Sequence, residues 1–250
     1  MSEPLTIAVA QPRIAAHALA ANAGSHAAAV REAQARVVVF PELSLTGYEL
    51  DAAPVAPDDP VLAPIVGACA ETGSLALVGA PVEGEDRIHI GMLAIDGSGA
   101  RVAYHKMYLG TTEAERFSPG RQPAVLVVDG WRLGLAICKD TGVADHASAT
   151  AALGIDAYVA GTVKHAEEAA LQEERARRVA IGHGVWVAVA SMAGSTGGGF
   201  TNTAGRSGIW APDGVAVARA AARIGEIVSA TLVRSAAEPQ ASPSRAGARG

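Results

Sequence analysis

Three short stretches carry the residue types that make and break a thioester: VVVFPELSLTGY, YHKMYLG and GLAICKD. They hold Glu42, Lys106 and Cys138, each at or near the end of a predicted strand. A thiol supplies a nucleophile, a carboxylate moves protons and an ammonium steadies an oxyanion. Together they suit cleavage of a carbon–nitrogen bond. An unperturbed thiol with a pKa of ~8.5 is mostly protonated at neutral pH. Cys138 therefore needs a base or cations close by, and Glu42, Lys106 and Lys139 are the candidates. Taken singly, each residue has a plainer reading. Cys138 closes a strand as a core thiol, Glu42 caps the next segment, and Lys106 snorkels to solvent.

The placement of these residues depends on the strands before them. Glu42 follows RVVVFP, Lys106 ends RVAYHK and Cys138 follows WRLGLAI. The C-terminal end of a strand in an α/β protein opens on the crevice where ligands bind. A carboxylate at such a rim loses hydration, which raises its pKa and suits it to proton transfer.

Strand-like runs recur along the chain, several apolar on consecutive positions, as strands buried on both faces are. Helical stretches are predicted over Ala18 to Gln34, Val61 to Thr72 and Glu167 to Ile181. In the last, Glu173 stands four residues before Arg177 and Glu174 four before Arg178, the spacing of ion pairs on an exposed helix face. DGSG joins two strands within DRIHIGMLAIDGSGARVAYHK, and PDG turns a second hairpin in IWAPDGVAVARA. Strand–helix alternation with hairpins inside it predicts a layered α/β sandwich rather than a plain doubly wound sheet. We expect one domain over residues 1–234 and a flexible tail over 235–250, where Ala, Ser, Pro, Gly and Arg dominate without periodicity.

Composition narrows the function classes. Half of the 250 residues are hydrophobic and 18% are charged, which suits a folded core. The formal net charge is -5 and the basic residues are scattered, so nucleic acid is not an expected partner. The start lacks a signal-peptide pattern, and no apolar run reaches the ~20 residues that span a bilayer. A cytoplasmic enzyme without membrane contact is the expectation. Cys69 and Cys138 are too few for a disulfide framework, and Cys69, in an amphipathic stretch, reads as a buried, inert thiol. No His, Cys and carboxylate set has metal-ligand spacing, and GSTGGGF lacks the lysine and helix of a phosphate loop. It reads instead as a flexible loop bordering the site.

The ordered FPE, HKMYL and GLAICKD stretches resemble those of the nitrilase, or carbon–nitrogen hydrolase, superfamily, over about residues 5 to 233. The resemblance implies a four-layer αββα sandwich and a triad in which Glu42 is the base, Lys106 the oxyanion stabiliser and Cys138 the nucleophile. It implies an assisting carboxylate at Glu113, with Glu115 as the rival, an oxyanion N–H from Lys139, and Tyr48 lining the substrate pocket. It implies no cofactor and no metal, a small-molecule amide substrate, and a homodimer or higher homo-oligomer.

The chain departs from the pattern in places. Lys139 and Gly142 surround Asp140 where many relatives carry other residues, including an arginine that in some is associated with a substrate carboxylate. Ser191 and Gly182–His183 replace a customary asparagine and a Glu–Asn pair. His146 and His165 read as structural histidines in preference to substrate contacts. The expected activity is hydrolysis of a small linear amide or N-carbamoyl compound through a Cys thioester. The alternatives are a true nitrilase and a non-catalytic scaffold of the same fold.

Overall fold

The computed structural model describes residues 3–84 and 87–234. The tail expected over 235–250 lies outside the described residues.

Two mixed six-stranded sheets form the body of the fold. The first contains β1 (Leu5–Ala10), β2 (Val37–Val39), β3 (Leu75–Glu83), β4 (Ile88–Asp96), β5 (Gly99–His105) and β14 (Ile227–Leu232), in the order β14-β1-β2-β3-β4-β5. The second contains β6 (Val125–Val128), β7 (Trp131–Ile137), β8 (Ala157–Thr162), β9 (Trp186–Ser191), β12 (Gly208–Trp210) and β13 (Ala216–Arg219), in the order β13-β12-β9-β8-β7-β6. In each sheet the central strands run parallel and the outer ones antiparallel. The strand pair β10 (Ala193–Gly194) and β11 (Thr203–Ala204) stands apart.

Side-chain alternation explains why consecutive apolar residues build these sheets. In β1, Leu5, Ile7 and Val9 point to a core shared with Leu133, Leu135 and Ile137 of β7 and Val159 of β8. Ala8 and Ala10 face the other way, onto α1 (Leu19–Ala33) and α2 (Ala63–Thr72), packing with Val30, Ile65 and Ala68. On the far side, Ala136, Tyr158, Val187 and Val189 pack with Ala147, Ala176 and Val179 of α3 (Ala144–Ala151) and α4 (Ala169–His183). A strand buried on both faces needs apolar residues at every position. The order of layers is therefore helices, sheet, sheet, helices, the expected αββα sandwich.

Both predicted hairpins are present, with Asp96 opposite Gly99 and β12 paired antiparallel to β13. Two expectations need correction. Helix α3 was not predicted, because ADHASATA is only eight residues long and mixes small and polar residues. Glu174 pairs with Arg178 at 3.0 Å, but Glu173 turns away from Arg177 and pairs with Arg219 at 2.5 Å. Arg219 lies on β13, and only tertiary packing brings it to the helix.

Candidate active site

The three loops that hold the sequence-predicted trio leave the C-terminal ends of β2, β5 and β7. Glu42 comes three residues after Val39, Lys106 directly after His105 and Cys138 directly after Ile137. Glu42 and Lys106 are each 1% exposed, and Glu113 and Cys138 are also buried. Lys106 Nζ donates to Glu42 Oε1 at 2.6 Å and to Glu113 Oε1 and Oε2 at 2.6 and 2.8 Å. One ammonium thus bridges two buried carboxylates. Glu113 is further held by the Tyr48 hydroxyl and the Gly110 N–H, both donating at 2.5 Å. Glu115, the rival by position, is exposed.

The Cys138 thiol donates to the Val163 carbonyl at 3.2 Å. It also lies beside Glu42, and each group shifts the titration of the other. Burial, with the Glu42 charge adding to it, pushes the Cys138 thiol up to about 12. Burial likewise raises the Glu42 carboxyl to about 7, against the opposing pull of Lys106. Burial alone would lower the Lys106 ammonium and raise Glu113. The attraction between them wins, so Lys106 is raised and Glu113 lowered. Among the described residues, Glu42 Oε2 accepts no hydrogen bond, which leaves one oxygen of the candidate base open.

Backbone geometry presents the thiol. Cys138 has φ +42, a left-handed conformation that costs a non-glycine residue ~1–2 kcal/mol. It opens a 3-10 turn over Cys138–Gly142, in which the first N–H groups have no partner inside the turn. The Lys139 N–H is one of these. The Lys139 side chain does not face the thiol: its Nζ donates to the Leu109 carbonyl at 2.6 Å.

A buried polar relay holds this turn from behind. Asp140 Oδ2 accepts the Ile137 N–H at 2.9 Å, and Oδ1 accepts the Tyr108 N–H at 2.9 Å. One carboxylate therefore ties the Cys138 turn to the loop that follows Lys106. The Tyr104 hydroxyl donates to Asp140 Oδ2 at 2.8 Å and lies 2.8 Å from His146 Nε2. A hydroxyl has one proton, so Nε2 of a neutral His146 must carry hydrogen and Nδ1 must accept. Nδ1 accepts from Tyr158 Oη at 2.9 Å. Both ring nitrogens of buried His146 are thus engaged by tyrosine hydroxyls behind the Cys138 turn.

An aromatic wall stands on the other side. Phe200 meets Tyr48 edge-on at 4.9 Å and stacks on His165 at 4.2 Å. Phe200 ends the GSTGGGF loop, and Thr196 of the same loop accepts the Tyr48 N–H at 2.8 Å. That loop does border the site. Cys69 is buried far along the chain in α2, with its thiol donating to Ile95 O at 3.4 Å. The one grouping of potential metal ligands among the described residues is His17, Glu49 and Asp51, of which His17 and Asp51 are exposed.

Sequence reasoning missed Tyr104, Phe200 and Lys164. The same position rule that selected Glu42, Lys106 and Cys138 selects Lys164, two residues past β8. The signals for Tyr104 and Phe200 are weaker, since aromatic residues beside a turn or strand end are common.

A family described as carbon-nitrogen hydrolase matches residues 6–241. A Pseudomonas protegens protein described as a hydrolase in the pqqF 5' region is 29% identical over 204 residues, covering 78% of this chain and 71% of that protein. The structure of a CN-hydrolase superfamily protein from Xanthomonas campestris superposes with a TM-score of 0.82 at 20% identity, covering 92% of this chain and 91% of the other. A variant amidase from Nesterenkonia sp. AN1, with acrylamide added at its active-site cysteine, gives a TM-score of 0.81 at 23% identity, covering 92% of this chain and 93% of the other. No described helix is long and apolar enough to cross a membrane. With a buried Glu–Lys–Cys cluster on a shared αββα frame and a family match over most of its length, the chain belongs to the carbon–nitrogen hydrolase family.

Proposed function

We propose that this protein hydrolyses a small linear amide or N-carbamoyl compound through a thioester on Cys138. The observation that carries the reading is the buried arrangement around Lys106. Its ammonium is locked between Glu42 and Glu113, while the second Glu42 oxygen is unpartnered beside the thiol.

In this reading Glu42 takes the Cys138 proton, and the thiolate attacks the carbonyl carbon. Negative charge collects on the carbonyl oxygen, where the Lys106 ammonium and the Lys139 N–H stabilise it. The protonated Glu42 gives its proton to the amide nitrogen, the C–N bond breaks, and ammonia or an amine leaves. A thioester remains. Glu42 then takes a proton from water, and the hydroxide attacks the thioester. The intermediate collapses, the sulfur departs with the proton from Glu42, and a carboxylic acid is released. A carboxyl with a pKa of about 7 is matched to both halves, since it takes and returns a proton near neutral pH. Glu113 cannot share that role while it is bound to Lys106, Tyr48 and Gly110, so its part is to hold Lys106 in place.

Buried charges in a dry site act more strongly on a developing oxyanion than charges in water. The fold is shared with an amidase whose own cysteine takes up acrylamide, which favours amides over nitriles as first candidates. The test is ammonia release from a panel of amides, N-carbamoyl compounds and nitriles, with Cys138→Ala as the blank. Release from amides or carbamoyl compounds that Cys138→Ala abolishes supports the reading. Release from nitriles alone, or release that Cys138→Ala leaves intact, overturns it.

A further inference from the structure

A cavity of about 280 Å³ opens beside α4, and none of the Glu42, Lys106 and Cys138 side chains lines it. Its lining joins Gln172 and Glu173 of α4, Trp210 of β12, Arg219 of β13 and Arg206 of the loop before β12.

The charges in this lining do not cancel. Arg219 pairs with Glu173 at 2.5 Å. Exposed Arg206 has no side-chain partner among the described residues. One guanidinium is therefore left over, and its planar fork of donors matches a carboxylate or a phosphate group.

A second unmet donor lines the same cavity. Trp210 is 2% exposed, and among the described residues its Nε1–H has no acceptor. Buried donors are nearly always paired, because leaving one unpaired is unfavourable. An indole only donates, so the group it lacks is an acceptor. The guanidinium and the indole thus call for the same partner, an oxygen carrying negative charge.

The backbone holds Arg206 for this purpose. Its φ of +52 lies in the left-handed region that favours glycine. The Arg206 N–H donates to the Ala221 carbonyl at 3.1 Å, and Gln11 Nε2 donates to the same carbonyl at 3.1 Å. A side chain kept at such a position by tertiary bonds is a feature of ligand clamps.

Gln172 connects the cavity to Cys138. It is buried, its Nε2 donates to the Gly205 carbonyl at 3.3 Å, and its Oε1 accepts the Thr162 hydroxyl at 2.9 Å. Gly205 precedes Arg206, and Thr162 precedes Val163, whose carbonyl accepts the Cys138 thiol at 3.2 Å.

We propose that this cavity binds a small oxyanion, a carboxylate or a phosphate group, between Arg206 and the Trp210 indole, and that its occupancy alters the reactivity of Cys138. The effect would pass from Gly205 through Gln172 and Thr162 to Val163. The proposal does not depend on which carbon–nitrogen bond the enzyme cleaves.

Calorimetric titration of the native protein with inorganic phosphate and with acetate reads the site directly. At least one of them should bind saturably, and the tighter of the two identifies the group that the cavity takes. Charge-assisted bonds to a guanidinium are worth about tenfold or more in affinity. R206G should weaken binding by about that factor, and R206K should recover part of it. Glycine suits the backbone at 206, so R206G removes the guanidinium without adding strain, and melting curves check its fold. R178Q, which removes an arginine of α4 outside the lining, should leave binding unchanged. No saturable binding of either anion, or equal weakening by R206G and R178Q, overturns the site.

Alkylation of Cys138 tests the connection without turnover. Iodoacetamide is neutral and reacts with a thiolate, forming an S–C bond and expelling iodide. Its rate at Cys138, read by peptide mass spectrometry, should change severalfold when the tighter anion saturates the native protein. In R206G the same anion concentration should have no effect. A rate that does not respond in the native protein, or that responds equally in R206G because the anion acts at Cys138 itself, overturns the coupling.

Discussion

Gly161 of β8 lies so close to the Glu42 segment that a Cβ at position 161 would stand 3.0 Å from the Glu42 amide nitrogen and 2.6 Å from the Phe40 carbonyl oxygen. Gly79 of β3 makes the matching approach, with its missing Cβ 2.5 Å from the Pro41 carbonyl oxygen. The segment carrying the proposed base is thus gripped between one bare backbone from each sheet. The contacts are to main chain, which has little freedom to yield.

Gly161→Ala should therefore push Glu42 out of line without removing any catalytic group. A displacement of ~1 Å at a reacting group costs on the order of 100-fold in rate. We expect kcat/KM to fall by about that factor while circular dichroism stays native. Native-like activity in a folded Gly161→Ala protein would contradict the grip.

The Glu42 carboxyl, raised from 4.5 to about 7, has a kinetic and a thermodynamic consequence. As the proposed base, Glu42 has to be ionised to accept the thiol proton, so kcat/KM should rise with pH through an apparent pKa near 7. The stability effect has the opposite sign. Below pH 4.5 both folded and unfolded states hold the proton, and between 4.5 and about 7 only the folded state does. Stability contributed by this group therefore falls as pH rises through that window. Denaturant titrations of native protein and Glu42→Gln at pH 4.5 and 8 should show the difference between them moving in favour of the variant at the higher pH.

Lys106→Met would leave Glu42 and Glu113 facing each other without their shared cation. Removing one partner from a buried ion pair ordinarily costs about 3–5 kcal/mol. We expect a loss of that size by chemical denaturation, together with loss of ammonia release. Glu113→Gln should be milder, since Glu42 still neutralises Lys106 at 2.6 Å.

Tyr104→Phe would cut the relay at its centre. Asp140 would lose a donor, and the His146 Nε2–H would lose its acceptor. An unpaired buried polar group costs about 1–3 kcal/mol. Because Asp140 also holds Ile137 and Tyr108, the change should loosen the Cys138 turn and slow alkylation of Cys138. His146, lowered by burial, adds a pH term. The unfolded chain takes up a proton near 6.5 that folded His146 refuses, so its contribution falls as pH drops below that value. A His146→Gln variant should flatten that part of the acid limb in thermal melts.

Much of this protein is written locally in its sequence. Apolar runs such as RVVVFP and WRLGLAI can be satisfied only by strands covered on both sides, and DGSG can only turn a hairpin. The positions of Glu42, Lys106 and Cys138 just past such strands were legible for the same reason, because a strand's end is a local event. Their convergence was not local. Lys106 and Glu42 are 64 residues apart in the chain and meet at 2.6 Å because β2 and β5 share one sheet, while Cys138 is brought to them from β7 of the other sheet. Packing also buried Glu113 against Lys106 while leaving Glu115 exposed, aimed Lys139 at Leu109, drew Arg219 to Glu173, and set Lys164 beside Glu168. These outcomes depend on which side chain reaches which partner across the sandwich, and spacing along a chain does not encode distances across a core.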